Sequence, residues 1–102
     1  MVIDDRDITS LRDAIDSIDA RLLDLLAERL SVVHQVGEQK RHKGLMVFDP
    51  KREELLLTKL IEAAPGDFDE QAIRNIFAAI VRECRRLEEH KMERDLASTS
   101  LR

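Results

Sequence analysis

The chain has 102 residues, enough for one domain and too few for a second hydrophobic core. Aromatic residues make up 3% of it, so sheet-type cores and stacking platforms for single-stranded nucleic acid have little to build on. The net charge of −4 supplies no general field that would attract nucleic acid or an anionic membrane. These features predict an all-α protein that binds neither nucleic acid nor membrane.

The cysteine count and the N-terminal residues predict the compartment. The one cysteine, Cys84, excludes an internal disulfide and a multi-thiolate metal site, and it is typical of a reducing environment. No apolar run approaches the roughly 20 residues that a membrane span needs. The first residues lack the basic-then-apolar pattern of a secretory signal. We therefore expect a cytoplasmic protein.

The first predicted helix covers residues 10–41, with Ser10 and Asp13 spaced as in a capping box and Gly44 as the stop. Its apolar residues alternate in steps of four and three, the period of a helix-packing seam. This first seam consists of Leu11, Ile15, Ile18, Leu22, Leu25, Val32 and Val36. Such a helix is about 48 Å long, whereas a compact domain of this size has a radius of gyration of about 13 Å. One copy of the chain cannot cover it, so we expect an intertwined homodimer.

Capping residues and a Pro-Gly turn predict the other two helices. Asp49 can cap the second helix, with Pro50 in its first position, and the Pro65-Gly66 turn ends it. The third helix is predicted to begin at Asp69. Its seam reads Ile73, Ile76, Phe77, Ile80, Cys84 and Leu87. The sequence thus predicts one domain, 1–102, of three helices, long, short and long, with a core over about 8–90 and a flexible C-terminal tail.

Charged residues interrupt the first seam. Arg29 occupies the next seam position after Leu25, and Lys40, about three turns further on, projects from the same face, so both can converge on one anion. The alternative is that both lay their stems on the core and send their charges to water. Arg12 lies roughly 25 Å from Arg29 along the axis and about 100° around it, so it cannot share a small ligand with Arg29 of its own chain. In an antiparallel dimer it could complete the partner's site; otherwise it is a solvated residue.

Glu88 ends the apolar ladder of the third helix, one turn after Cys84. If Glu88 faces the interior, we expect its pKa to rise; the alternative is a solvated glutamate. Cys84 itself is expected to be a small core residue. We expect surface positions for all three histidines, His34 included, and solvated faces for two basic groups: Arg41-His42-Lys43, and Arg82, Arg85 and Arg86. No residues show metal-ligand spacing, so no metal is expected.

Four segments of the chain are informative together: "LRDAIDSID" at 11–19, "LLDLLAERL" at 22–30, "VGEQK" at 36–40 and "VFDPKRE" at 47–53. In this order and spacing they resemble the AroQ-type, all-helical chorismate mutases over roughly residues 8–90. The resemblance implies a homodimer that rearranges chorismate to prephenate without a cofactor. It also implies site residues: Arg12 from the partner chain, with Arg29, Lys40, Asp49, Arg52, Glu53, Cys84 and Glu88.

Two site positions depart from one well-known form of the family pattern, which has Ser and Gln where this chain has Cys84 and Glu88. Isochorismate pyruvate-lyases resemble the same scaffold and are the nearest alternative. A weakly active helical module that binds a shikimate-pathway enzyme is another. A plain helical bundle with no ligand would leave Arg29, Lys40 and Arg52 unexplained.

Overall fold

The computed structural model describes residues 5–46 and 49–100, and within these ranges all regular secondary structure is helical. The three helices are α1 (Asp5–His42), α2 (Pro50–Ala63) and α3 (Glu70–Ser100). The predicted all-α class and the order long, short, long are confirmed. Val47 and Phe48, part of one quoted segment, lie outside the described residues.

The start of α1 differs from the prediction. The helix begins at Asp5, so the proposed cap at Ser10 lies inside it and that prediction was wrong. Nothing between residues 5 and 10 breaks a helix, and Asp7 in the first turn interacts favourably with the helix dipole. The capping-box spacing of Ser10 and Asp13 does not mark the helix start, because no residue before it stops the helix.

The predicted end of α1 at Gly44 is confirmed by the capping geometry. Gly44 adopts a φ of +68°, in the left-handed region that glycine enters without strain. The Leu45 N–H donates to the Lys40 carbonyl at 2.7 Å, and the Gly44 N–H donates to the Arg41 carbonyl at 3.1 Å. This pair of bonds is a Schellman motif, which satisfies carbonyls that the helix end leaves open.

The predicted caps of α2 and α3 are also confirmed. The Asp49 carboxylate accepts the Arg52 N–H at 3.1 Å, and Pro50 opens the helix. The Asp69 carboxylate accepts the Ala72 N–H at 2.8 Å. Helix α2 ends at Ala63, before the Pro65-Gly66 turn. Helix α3 continues through Ser100, and the expectation of a flexible tail stays a prediction.

The chain divides into two units, residues 1–31 and 32–102, which are described separately. In the described part of the first unit the predicted seam is exposed: Leu11 is 64% accessible, Ile15 55% and Leu25 60%. A row of large apolar side chains this exposed is the kind of surface that marks an interaction site. Within the described part of the first unit, the seam is therefore an exposed apolar surface.

In the second unit, α2 packs against α3 around a thin core. Among the described residues of this unit, the buried apolar side chains are Ile73 and Cys84, each 7% exposed. The prediction that Cys84 is a core residue is confirmed. Helix α2 has no fully buried residue, and Leu55 is 59% exposed. None of the described helices is long and apolar enough to cross a membrane.

The cap of α3 gives a stability prediction. Replacing Asp69 by alanine removes the acceptor for the Ala72 N–H, so the free energy of unfolding should fall by about 1 kcal/mol in a urea titration at fixed protein concentration. Asp67→Ala is the matched control, because Asp67 is an exposed aspartate two residues earlier. It should change the free energy of unfolding by less than about 0.5 kcal/mol. Equal effects of the two substitutions would contradict the cap assignment.

Candidate active site

The second unit carries six of the eight predicted site residues. They are Lys40 at the end of α1, Asp49, Arg52 and Glu53 at the start of α2, and Cys84 and Glu88 on α3. The other two, Arg12 and Arg29, lie on α1 in the first unit, where Arg12 is exposed and Arg29 half-buried. The local structure of each group can be followed from its helix.

Glu88 is the most buried charged residue in the described part of the chain, with 3% of its surface exposed. Its two carboxylate oxygens have different partners on α1. Oε1 accepts a hydrogen bond from Arg41 Nη1 at 2.8 Å, and Oε2 forms a hydrogen bond with His34 Nδ1. A buried carboxylate is stable when it is paired and hydrogen-bonded in this way. We call Glu88, His34 and Arg41 the Glu88 cluster.

The pKa of Glu88 is lowered from its ordinary value of 4.5. Burial by itself raises this pKa, but the hydrogen bonds and charges of Arg41 and His34 together outweigh burial. The expectation of a raised pKa was therefore wrong. The expectation took account of the burial of Glu88 but not of its two hydrogen-bond partners, which come from α1. Glu88 is ionised at neutral pH.

The structure also corrects the positions of His34 and Arg41. Both were predicted to be solvated, but their side chains are 20% and 31% exposed, and both bind Glu88. The missed signal is their spacing: His34, Gly37 and Arg41 follow one another at three and four residues, which places them on one face of α1.

Gly37 makes room for this carboxylate. A Cβ on Gly37 would overlap Glu88 Oε1, and it would lie 3.0 Å from Glu88 Cδ and 3.3 Å from Arg41 Nη1. The end of a glutamate can usually move aside, but here two hydrogen bonds and burial hold it. A glycine inside a helix weakens it by roughly 0.5–1 kcal/mol relative to alanine. The close approach of Glu88 explains why a glycine stands at this position.

A second polar contact joins α2 to α3. Arg85 Nη2 donates to Glu53 Oε1, and both side chains are about one-third exposed. The prediction that Arg85 is solvated was wrong, because the start of α2 supplies an acidic partner. The two residues border a recess of about 280 Å³ with an apolar wall. Its other lining residues are Leu57, Phe77, Ala78, Val81 and Arg82.

Lys40 lines a different recess, of about 390 Å³, along the end of α1. Val36, Gln39, Lys43 and Leu45 contribute to the same surface. Lys40 is half-buried, and no residue lines both this recess and the one beside Glu53. Two cations, Lys40 and Lys43, and one acid, Glu38, line this recess, so its charged side chains sum to one positive charge.

Asp49 and Arg52 are both exposed at the start of α2. The Asp49 carboxylate is held by the Arg52 backbone N–H, which fixes its orientation. Within residues 5–46 and 49–100, no group of three His, Cys, Asp or Glu residues is placed to hold a metal ion. The fold and the site together define a small all-helical protein whose charged site residues lie on helix faces and at a helix N-terminus.

The sequence pattern of the chorismate mutase type II family matches residues 11–89. This range is more than half of the chain, and it includes all eight predicted site residues. The chain belongs to the chorismate mutase type II family.

Individual relatives agree with this assignment. The chain is 43% identical over 75 residues to a T-protein of Enterobacter agglomerans, and the match covers 69% of this chain and 20% of that protein. It is 29% identical over 87 residues to a chorismate mutase of Methanocaldococcus jannaschii, covering 84% and 88%. The structure of chorismate mutase (form II) from Thermus thermophilus superimposes with a TM-score of 0.78 at 38% identity, covering 80% of this chain and 93% of that one. The chain spans about a fifth to a quarter of the length of the T-proteins and bifunctional enzymes among its relatives.

The Gly37 contact gives a prediction with an unusual sign. Alanine normally stabilises a helix relative to glycine, but Gly37→Ala should lower the free energy of unfolding because its Cβ displaces the Glu88 carboxylate. In a Glu88→Ala background the same substitution should raise it by about 0.5–1 kcal/mol. The measurement is a double-mutant cycle by urea unfolding. The same sign in both backgrounds would contradict the proposed role of Gly37.

Proposed function

We propose that this chain catalyses the rearrangement of chorismate to prephenate. The observation that carries the proposal is that the family pattern spans residues 11–89 and includes every predicted site residue. Two relatives named chorismate mutase, from M. jannaschii and T. thermophilus, are matched over 88% and 93% of their length, which adds support. The reaction is unimolecular, so the protein's task is to hold the substrate in its reactive conformer and stabilise the charge that develops on the breaking ether oxygen.

Cations bind the substrate in this proposal. Arg29 and Arg52 bind the carboxylates of the dianion, together with Arg12 of the second protomer. A guanidinium pairs with a carboxylate through two parallel hydrogen bonds, which fixes orientation as well as charge. Lys40 donates to the ether oxygen. The half-buried position of Lys40 in a recess that it shares with Lys43 and Glu38 supports this role.

Polar residues complete the proposed site. Asp49 and Glu53 lie at the substrate hydroxyl, and Cys84 and Glu88 lie beside the reacting groups. The fixed orientation of Asp49 at the α2 cap and the Arg85 contact of Glu53 are consistent with positions that direct a hydroxyl. A thiol is a weak hydrogen-bond donor, so Cys84 contributes less to a substrate carboxylate than a serine would.

Glu88 can assist only when it carries a proton, because a carboxylate would repel the charge developing on the ether oxygen. In the chain without ligand it is ionised. A bound dianion places negative charge nearby, which raises the pKa of Glu88 and favours the protonated form. Activity is therefore expected to fall as pH rises through the pKa of Glu88 in the substrate complex.

The active form in this proposal is a homodimer. The exposed first seam supports it, since a second copy of α1 would cover the apolar side chains that its own chain leaves open. Arg12 is exposed on the same helix and is thus available to a partner's site. A cytoplasmic location, expected from the composition, belongs to the same proposal.

The proposal is tested by incubating the purified chain with chorismate at pH 7 and identifying products by NMR. Prephenate should form faster than in the uncatalysed control. Conversion of isochorismate but not chorismate would contradict the proposal in favour of a lyase. No conversion of either would favour a partner-dependent module.

Glu88→Gln tests the role of the carboxyl group. Glutamine donates a hydrogen bond at every pH, so this variant should be more active than the original chain at pH 8, and its fall in kcat with rising pH should be much smaller. The measurement is the pH profile of kcat between pH 5 and 9, because kcat reports the pKa of Glu88 in the substrate complex. An unchanged profile would show that Glu88 is not the donor.

Mixed dimers test the contribution of Arg12 across the interface. Arg12→Ala and Lys40→Ala dimers should each be inactive. After unfolding and refolding together at equal concentration, one site in each mixed dimer is intact, so about a quarter of the original activity should return. Arg21→Ala, at another exposed arginine of α1, is the control and should stay active. No recovery on mixing would place Arg12 in its own chain's site.

A further inference from the structure

The Glu88 cluster contains two residues to which the proposed function gives no part. His34 and Arg41 are absent from the predicted substrate contacts, yet each binds one oxygen of Glu88. Glu88 lies one turn from Cys84 on α3, so the cluster borders the proposed site. Its geometry is specific, because the carboxylate is 3% exposed and Gly37 leaves it space.

We propose that Arg41 and His34 are positioning residues for Glu88, which hold its carboxyl group in one orientation and control whether it carries a proton. Neither residue is proposed to touch the substrate. The kinetic part of this inference rests on the proposed chorismate mutase activity. The ionisation part rests only on the cluster.

The contacts explain how two residues can fix one carboxyl group. Arg41 approaches Oε1 and His34 approaches Oε2, so rotation of the carboxyl group would break both bonds. His34 and Arg41 lie two turns apart on one face of α1, with Gly37 between them. The absence of a Cβ at Gly37 allows the carboxylate to sit against the helix between its two partners.

Other charged groups lie near the cluster. On α3, the pKa of Lys91 is raised mainly by its hydrogen bond to Asp95 at 2.8 Å, with smaller contributions from Glu38 of α1, at 3.8 Å, and from Glu88. Asp95 in turn feels the charge of Arg41. Cys84, a buried residue one turn before Glu88, is a further titratable group on α3. In the described part of the chain, the side-chain hydrogen bonds of Glu88 are those with Arg41 and His34.

The sign of the effect follows from the opposing influences on Glu88. Burial raises its pKa, and Arg41 and His34 lower it. Removing Arg41 leaves burial less opposed, so the pKa of Glu88 should rise and the protonated, donating form should persist to higher pH. In stability terms, the ionised cluster contributes above the ordinary pKa of 4.5, and this contribution is lost as pH falls through the lowered pKa.

The ionisation test is a titration of the Glu88 carboxyl carbon by ¹³C NMR, with the signal assigned by its loss in Glu88→Gln. Arg41→Leu and His34→Val should both move the Glu88 titration to higher pH. Arg41→Lys keeps the charge and should remain closer to the original chain. Arg86→Leu is the matched control, because Arg86 is an exposed arginine of α3 that pairs with Glu83 and not with Glu88.

The kinetic test is the pH profile of kcat for chorismate in the same variants, because kcat reports the protonation state of Glu88 in the substrate complex. Arg41→Leu should move the fall in kcat to higher pH, in the same direction as its Glu88 titration. In a Glu88→Gln background the Arg41→Leu substitution should leave the shape of the pH profile unchanged. A purely structural role would lower activity equally at every pH.

The outcomes separate the two proposals. An unmoved Glu88 titration in both His34→Val and Arg41→Leu would overturn the inference, whether or not chorismate is converted. A shifted titration without turnover would support the control of ionisation and count against the mutase proposal. If Arg41→Leu does not fold, as judged by circular dichroism, the comparison of His34→Val with Arg41→Lys still decides: His34→Val must shift the titration further.

Discussion

A buried carboxylate must find partners, and this requirement organises the second unit. Transferring an unpaired carboxylate from water into a protein interior is strongly unfavourable, so Glu88 draws two hydrogen-bond donors from α1. The need for a close approach then explains a glycine in the middle of a helix. A single ionised group thus accounts for the identity of three residues on another helix. These polar contacts join the last turns of α1 to α3 within this unit.

In the first unit, the apolar seam of α1 is exposed. The seam of α1 is regular in sequence, yet its residues in the first unit are about half exposed or more. A polar contact can be satisfied within one chain, as Glu88 shows, whereas a straight seam of this length needs a surface of matching length. The two units therefore differ in the interaction they use. Polar contacts such as those of Glu88 hold helices together in the second unit, whereas the apolar seam of the first unit requires a long complementary apolar surface.

Local signals in the sequence predicted the helices well and the site incompletely. Asp49-Pro50, Asp69 and Gly44 act within a few residues of their own position, so their effects could be read from the sequence. The start of α1 could not, because no residue before Ser10 stops a helix. The contacts of Glu88 and Arg85 join residues 54 and 32 positions apart, and periodicity shows which face a residue occupies but not which helix lies opposite. Periodicity singled out Arg29 and Lys40, the family resemblance supplied the full set of eight site residues, and their roles stay proposals.

The Schellman motif at Gly44 has a consequence for how the chain can change. Its two hydrogen bonds are accepted by the backbone carbonyls of Lys40 and Arg41. The side chain of Lys40 lines a recess, and the side chain of Arg41 binds Glu88. The turn that ends the helix therefore also fixes the backbone positions from which the Lys40 and Arg41 side chains extend. One residue inserted between Gly37 and Gly44 would rotate whatever follows it by about 100° around the helix axis. An exposed position in this short segment, such as His42, should therefore accept a change of side chain far more readily than the segment accepts a change of length.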